Sequence, residues 1–264
     1  MTTIKPIYFI SDLHLSVQDP KGLELFINFI SGPAASAHQL YILGDLFDVW
    51  VGDDLNVEFQ LQIQKALKAL TSSPVEVFYM NGNRDFLLST RFLQEAGCHR
   101  LTDPYRFILH GIPTLLTHGD RLCTKDIAYQ RYRKIAQNPL TKWLFLYLPK
   151  KIREAISQKL RRKSQEYQKS QINDILDVTK DAVETWMIQY QVTQLIHGHV
   201  HRPKIHDLTI KGKKSKRLVL GDWHRTGSVM MSTPNDMTLA TYDPQKGLNP
   251  QEYYALVDLI DLVG

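Results

Sequence analysis

The chain has 264 residues, 43% of them hydrophobic, and a net charge of +5. That size and apolar content suit one large α/β domain, or one domain carrying an insertion, and exclude a chain too polar to build a core. Two cysteines, Cys98 and Cys123, exclude a disulfide framework. The apolar runs fall well short of the roughly 20 residues of a spanning helix. The N-terminus lacks the apolar stretch and small-residue cleavage site of a signal peptide. A reducing compartment is therefore expected, with the protein cytoplasmic and either soluble or peripherally bound.

The first half alternates strand and helix. Residues 6–10 form an apolar, partly β-branched run that predicts a buried strand. Residues 20–30 carry Leu23, Phe26, Ile27 and Ile30 at helical spacing. Strands are predicted over 39–43, 75–80 and 114–117, the last after a hairpin at His110-Gly111, and a helix over 55–70. This order favours a sheet with helices on its faces.

The middle differs. Residues 125–191 hold two prolines, Pro139 and Pro149, and almost no glycine, and read as several helices inserted into the α/β domain. Residues 125–169 carry thirteen Lys or Arg against three Asp or Glu, a local charge of +10 that leaves the rest of the chain at −5. Within the block, Trp143, Leu144, Phe145, Leu146, Tyr147 and Leu148 make an apolar, aromatic run. It suits either an interfacial element or an ordinary buried helix. The basic residues Lys142, Lys150, Lys151, Arg153, Arg161, Arg162 and Lys163 surround it, an arrangement that attracts anionic surfaces. Strands resume at 194–196, 217–220, 228–232 and 237–242. An amphipathic helix is predicted over 250–263, with Tyr253, Leu256, Val257, Ile260 and Val263 on one face.

Polar clusters follow the predicted strands: Ser11-Asp12-Leu13-His14, Gly44-Asp45-Leu46-Phe47-Asp48, Gly82-Asn83-Arg84-Asp85, His118-Gly119-Asp120 and Gly198-His199-Val200-His201. Loops at the carboxyl ends of parallel strands gather at one edge, so the five clusters are expected to share one pocket. Each alone is weak, since Asp45 and Asp48 also suit helix caps and Asn83 a turn. Together they supply Asp12, His14, Asp45, Asn83, His118, His199 and His201. Mixed oxygen and nitrogen donors suit Mn²⁺, Fe²⁺, Zn²⁺ or Co²⁺ rather than Ca²⁺. Seven are too many for one tetrahedral ion and suit a pair of ions bridged by a carboxylate.

The order D-x-H, G-D-x-x-D, G-N-x-D, H-G-D, G-H-x-H resembles the calcineurin-like metallophosphoesterases. That resemblance implies a sandwich of β-sheets flanked by helices, with a core of residues 1–124 and 192–264 and an inserted helical cap over 125–191. It implies one ion held by Asp12, His14, Asp45 and His201 and a second by Asp45, Asn83, His118 and His199, with Asp45 bridging. Most of that superfamily has histidine after the asparagine. Here Arg84 stands there, a guanidinium suited to phosphate oxygens. The strings YFISDLHLS, LYILGDLFDVWVGDD, GNRDFLL, THGDRLCTKD, LIHGHVHRP and LGDWHRTGS are similar to the UDP-2,3-diacylglucosamine diphosphatase family of lipid A synthesis.

The expectations from that likeness are specific. They are two Mn²⁺ ions, water attack on the α-phosphorus, release of UMP and 2,3-diacylglucosamine 1-phosphate, and Arg84, Asp45 and His199 as catalytic residues. Asn83, Arg84, Asp126, Ser164, Tyr167, Lys169, Gln171 and His199 are expected to touch substrate, with Tyr129 and Arg161 close by. Asp85 and Asp48 are expected to orient ligating histidines, with a purely structural role the alternative for Asp48. The expected partners are the lipid-linked nucleotide sugar and the cytoplasmic face of the inner membrane, with no nucleic acid and no obligate protein partner. A nuclease is disfavoured because the basic block lacks the spaced aromatics of a base-stacking groove. A metal-free scaffold is disfavoured because all seven donors are present.

Overall fold

The structure is a computed structural model and describes residues 5–54, 58–170, 175 and 177–260. The chain runs through β1 (Ile7–Ile10), α1 (Pro20–Ser31), β2 (Gln39–Leu43), α2 (Glu58–Thr71), β3 (Glu76–Met80), α3 (Thr90–Ala96) and β4 (His99–Arg100). Then come β5 (Tyr105–Leu109), β6 (Ile112–Thr117), α4 (Ile127–Ala136), α5 (Pro139–Tyr147), α6 (Lys150–Ser170) and α7 (Lys180–Gln189). It ends with β7 (Gln194–His197), β8 (Lys204–Ile210), β9 (Lys213–Val219), β10 (Gly227–Ser232), β11 (Asp236–Asp243), β12 (Gly247–Ala255) and α8 (Val257–Ile260).

The strands form two sheets, ordered β12-β11-β10-β1-β2-β3-β4 and β5-β6-β7-β9-β8. Alternation along β1 explains the layering. Successive side chains of a strand face opposite ways. Tyr8 and Ile10 pack with Leu40, Ile42, Phe26 and Phe29 under α1 and α2. Ile7 and Phe9 pack with Leu116, Ile196 and Leu218 between the sheets. A strand covered on both faces reads as a continuous apolar run, as 6–10 does. The outer face of the second sheet is covered by α7, whose Val183 and Met187 bury against Leu115 and Leu195. So α7 is built into the sandwich, while α4 and α5 bury no residue of their own. The expected α/β sandwich is present.

Two expectations change. The carboxyl ends of β1, β2 and β3 lie in one sheet and those of β6 and β7 in the other, so the site is assembled across two sheets. The C-terminal helix predicted over 250–263 is, among the described residues, a strand up to Ala255: β12 pairs antiparallel with β11, and the helix described is Val257–Ile260. Tyr254 and Leu256 enter the inter-sheet core while Tyr253 stays exposed. A 3.6-residue spacing of apolar residues arose there from strand alternation followed by one helical turn. Val263 lies outside the described residues.

Candidate metal centre

Past the ends of β1 and β2 the two chains stay paired through His14 N to Asp45 O (2.9 Å) and Leu15 N to Leu46 O (2.9 Å). This holds the D-x-H and G-D loops side by side. Asp12, His14, Asp45, His199 and His201 all have positive φ, between 49° and 70°. Left-handed backbone is uncommon for residues with a Cβ, and clusters at sites where surrounding structure holds it in place. Gly82 is required by close approach: a Cβ there would collide with the backbone N and Oδ1 of Asp45.

The donors converge. One ligand atom each from Asp12, His14 and His201 lie within 4.8 Å of one another, as do those of Asp12, Asp45 and His118. The Nε2 atoms of His14 and His201 approach to 3.3 Å, and His201 Nε2 is 3.3 Å from Asp12 Oδ1. Asp12 Oδ1 and His14 Nδ1 are buried without a hydrogen-bond partner among the described residues. Buried polar groups are rarely left unpaired, so these two atoms are the observation that a cation fits. Asp12 Oδ2 is satisfied by Ser11 Oγ (2.6 Å) and His199 N (2.8 Å), which leaves Oδ1 for the centre. His118 donates from Nδ1 to Leu43 O (2.9 Å), so its Nε2 is directed toward Asn83 Oδ1 (2.9 Å) and Asp45 Oδ2 (3.7 Å). A backbone carbonyl fixing the tautomer of a ring is the usual support of a metal-binding histidine. The His199 ring lies 5.1 Å from that of His118.

The electrostatics are those of a charged cluster out of water. Burial pushes Asp45 up to about 7, against the pull of His118 and with the charges of Asp85 and Asp12 assisting. Burial would also raise Asp12, but the His201 ring holds it well below the usual carboxylate range. Burial lowers His14 and His199 to about 3, so both are neutral. His118 and His201 go the other way despite burial. Asp45 and Asp12 raise His118 to about 9, and Asp12 and Asp222 raise His201 to about 10.

Those directions make a prediction about loading. Below about pH 9, His118 and His201 carry protons that a cation must displace, and near pH 7 Asp45 is partly protonated too. Metal affinity is expected to rise with pH from 6 to 9, and binding at pH 7 to release more than about one proton per chain. Calorimetric titration with Mn²⁺ in two buffers of different ionisation enthalpy measures this. Identical heats in both would contradict it.

Two other expected roles change. Asp85 touches no histidine: it accepts from Leu46 N (2.8 Å), Gly82 N (2.7 Å) and Tyr79 Oη (2.5 Å) and so ties the Asp45 loop to the Asn83 turn. Asp48 pairs with Arg161 on α6 at 2.5 Å instead of a ring. The basic patch also shrinks. Arg153 is buried, its Nη1 donating to Val51 O (2.5 Å) and its Nη2 to Asp54. Lys142 donates to Phe86 O (3.3 Å) over the Phe86 ring. Lys150, Lys151, Arg162 and Lys163 remain exposed. The apolar run is not a buried helix, since Trp143 is 56% and Tyr147 77% exposed.

Of the expected substrate contacts, Arg84 donates its backbone N–H to Asp45 Oδ1 (2.8 Å), and its charge acts on His14 and Asp45. Asp126 caps α4 through Tyr129 N (2.9 Å) and accepts from Tyr167 Oη (3.0 Å). Ser164 is half-buried on α6. The Lys169 side chain and Gln171 lie outside the described residues. Sequence reasoning missed Asp222, 3.5 Å from His201 Nδ1, and the work of Asp120, which accepts from Tyr129 Oη (2.8 Å) and Arg133 Nε (2.5 Å) beside His199. Both sit in the quoted strings, in LGDWHRTGS and in H-G-D.

A buried cluster of aspartate, asparagine and histidine at five strand ends is the architecture of a metal-dependent phosphoesterase. The family model for calcineurin-like phosphoesterase matches residues 5–203, and the chain belongs to that family. Relatives narrow it. A protein named UDP-2,3-diacylglucosamine hydrolase from Pseudomonas syringae pv. syringae is 45% identical over 237 residues, covering 90% of this chain and 96% of its own. Proteins of the same name from Azotobacter vinelandii (44%, 87% and 94% covered) and Photobacterium profundum (42%, 92% and 98%) are similarly close. Among the described residues no helix is long and apolar enough to cross a membrane.

Proposed function

We propose that this chain hydrolyses UDP-2,3-diacylglucosamine to 2,3-diacylglucosamine 1-phosphate and UMP by attack of water on the α-phosphorus. The observation that carries the reading is a converging set of donors around two buried atoms, Asp12 Oδ1, which faces the His201 ring at 3.3 Å, and His14 Nδ1, which makes no hydrogen bond among the described residues, in a chain 45% identical to a hydrolase of that name. Asp12, His14, Asp45 and His201 would hold one ion and Asp45, Asn83, His118 and His199 a second, with manganese the ion that the likeness favours. Bound ions of this kind supply Lewis-acid charge and lower the pKa of water.

The chain's own residues do the rest. Asp45, anchored by Arg84 N, sits between the two donor sets. The neutral His199 ring, packed against Tyr129, is held beside the phosphate site by Asp120. The Arg84 guanidinium stabilises charge on the phosphate oxygens. Helices α4, α5 and α6 serve as the lipid cap, with α7 left to the sandwich: the exposed apolar side chains of those three take acyl chains. Asp126, Ser164, Tyr167, Lys169 and Gln171 are proposed to contact the glucosamine phosphate. The remaining basic residues of α6 hold the protein peripherally at the cytoplasmic face of the inner membrane.

The test is incubation with UDP-2,3-diacylglucosamine and Mn²⁺ in ¹⁸O-labelled water. Metal-dependent UMP carrying the label is expected. Label in the lipid phosphate alone, or no cleavage, refutes the reading. Arg84→Ala is expected to lower kcat by about 10²-fold with metal content unchanged, the loss typical of one preorganised donor. Steady-state kinetics with metal analysis checks it.

A further inference from the structure

The centre meets two different surfaces. On the side of α4, α5 and α6, Tyr129 reaches the His199 ring, and exposed apolar side chains such as Leu140, Trp143 and Leu144 stand among basic ones. Beside His201 the surface mixes polar and apolar groups. A cavity of about 480 Å³ opens there, lined by Asp222, His224, Arg225 and Thr226 of the β9–β10 loop and by Gln251 and Glu252 of β12. Its wall touches the centre directly, since Asp222 Oδ2 lies 3.5 Å from His201 Nδ1 and 3.4 Å from His224 Nε2.

A β-bulge lies in the cavity wall. Leu239 of β11 pairs with Glu252 and Ala240 with Pro250, so Gln251 is the extra residue. Consecutive strand residues ordinarily face opposite ways, and a bulge re-aims one of them. Gln251 and Glu252 at the bulge both line the cavity, as do Leu239, Ala240 and Thr241 of β11. Glu252 is fixed by accepting Ile205 N–H at 2.8 Å.

We propose that this cavity binds the nucleoside half of the substrate, an inference that rests on the hydrolase reading above. Its volume falls in the range of roughly 300–1,000 Å³ typical of small-ligand sites. Eight of its twelve lining residues are polar, against Pro203, Gly221, Leu239 and Ala240, and they suit an acyl chain poorly because their polar groups would lose water without gaining partners. A nucleoside supplies those partners. A fixed carboxylate such as Glu252 accepts from a ribose diol, the use made of an acidic residue in dinucleotide folds. The Gln251 amide is oriented by its Nε2, which donates to Asn249 O (3.2 Å) and Thr241 Oγ1 (3.4 Å), and its carbonyl oxygen offers an acceptor for the N–H of a uracil edge. Asp222 then joins the nucleoside wall to His201, so the pyrophosphate spans the centre with the lipid on the α4–α6 side.

The test uses Gln251→Leu and Glu252→Gln, the second keeping an acceptor for Ile205 N–H. Two quantities are measured: inhibition by UMP, and kcat/KM for UDP-2,3-diacylglucosamine relative to bis(p-nitrophenyl) phosphate, which has no nucleoside. Each variant is expected to weaken UMP inhibition about tenfold and to lower that ratio about tenfold, as when a hydrogen bond made to substrate is lost. A wild type that cleaves the UDP-lipid while both variants keep both quantities within about twofold overturns the pocket and leaves the hydrolase reading standing. A wild type that cleaves only bis(p-nitrophenyl) phosphate overturns the hydrolase reading, and the pocket with it.

Discussion

Replacing Asp45 with asparagine is expected to cut turnover by at least about 10³-fold and to abolish stabilisation by Mn²⁺. Asp45 lies close to histidines of both donor sets: Oδ2 lies 3.7 Å from His118 Nε2 and 3.9 Å from His14 Nδ1, while Oδ1 is engaged by Arg84 N at 2.8 Å. An amide keeps the shape but removes the negative charge that holds two cations near each other. Loss of several kcal/mol of charge stabilisation converts to about 10³-fold at roughly 1.4 kcal/mol per decade. The Arg84 N–H bond survives on the amide oxygen, so the fold is kept. Three measurements decide it: turnover, metal content of the purified variant, and the change in Tm on adding Mn²⁺. Wild type should gain Tm with metal, because a ligand that binds only the folded state stabilises it. A variant with wild-type metal content and a wild-type gain would remove Asp45 from the bridging position.

Asp85→Ala is expected to be the most destabilising single change near the site, by about 3 kcal/mol, from stranding buried donors at roughly 1–3 kcal/mol each. Asp85 is fully buried, and one carboxylate satisfies Leu46 N, Gly82 N and the Tyr79 hydroxyl, with Phe47 N at 3.4 Å. For a domain of this size the loss lowers Tm by roughly 6–12 °C. Because these bonds tie the Asp45 loop to the Asn83 turn, metal affinity should also fall, by about 10–100-fold. Tyr79→Phe removes one partner and is expected to cost about 1 kcal/mol. Thermal and denaturant unfolding of metal-free protein separate the two effects. An Asp85→Ala variant with wild-type Tm would show that those donors find other partners.

The candidate metal donors could be picked out in the sequence because their chemistry is local. Each motif follows directly on its own strand-like run, and residue types such as D-x-H and G-H-x-H carry ligand identity without knowledge of the fold. The strands were legible for a related reason: β1, β2, β6 and β7 are buried on both faces, so their apolar runs stand out. The Gly82 turn was marked by its glycine, and the structure supplies the reason in the missing space beside Asp45.

What only the tertiary structure decided depends on partners distant in sequence. Nothing near Arg153 indicates that its guanidinium binds Val51 O and Asp54, nor anything near Arg161 that it pairs with Asp48; as sequence, both belong to one basic face with Lys150 and Arg162. Burying a charge is tolerated only where a partner awaits it, and those partners come from the loop after β2, about a hundred residues earlier. The C-terminal segment is the same lesson in backbone form. Residues 250–255 became a strand because β11 offered an edge to pair with, and local spacing could not anticipate that edge. The division of donors between two sheets, the bulge at Gln251 and the place of Asp222 beside His201 arise likewise from packing. The sequence by itself determined which groups are candidates for the chemistry, because residue type is local; the three-dimensional fold decided which charges lie at the site and which brace it, because those partners are distant in sequence.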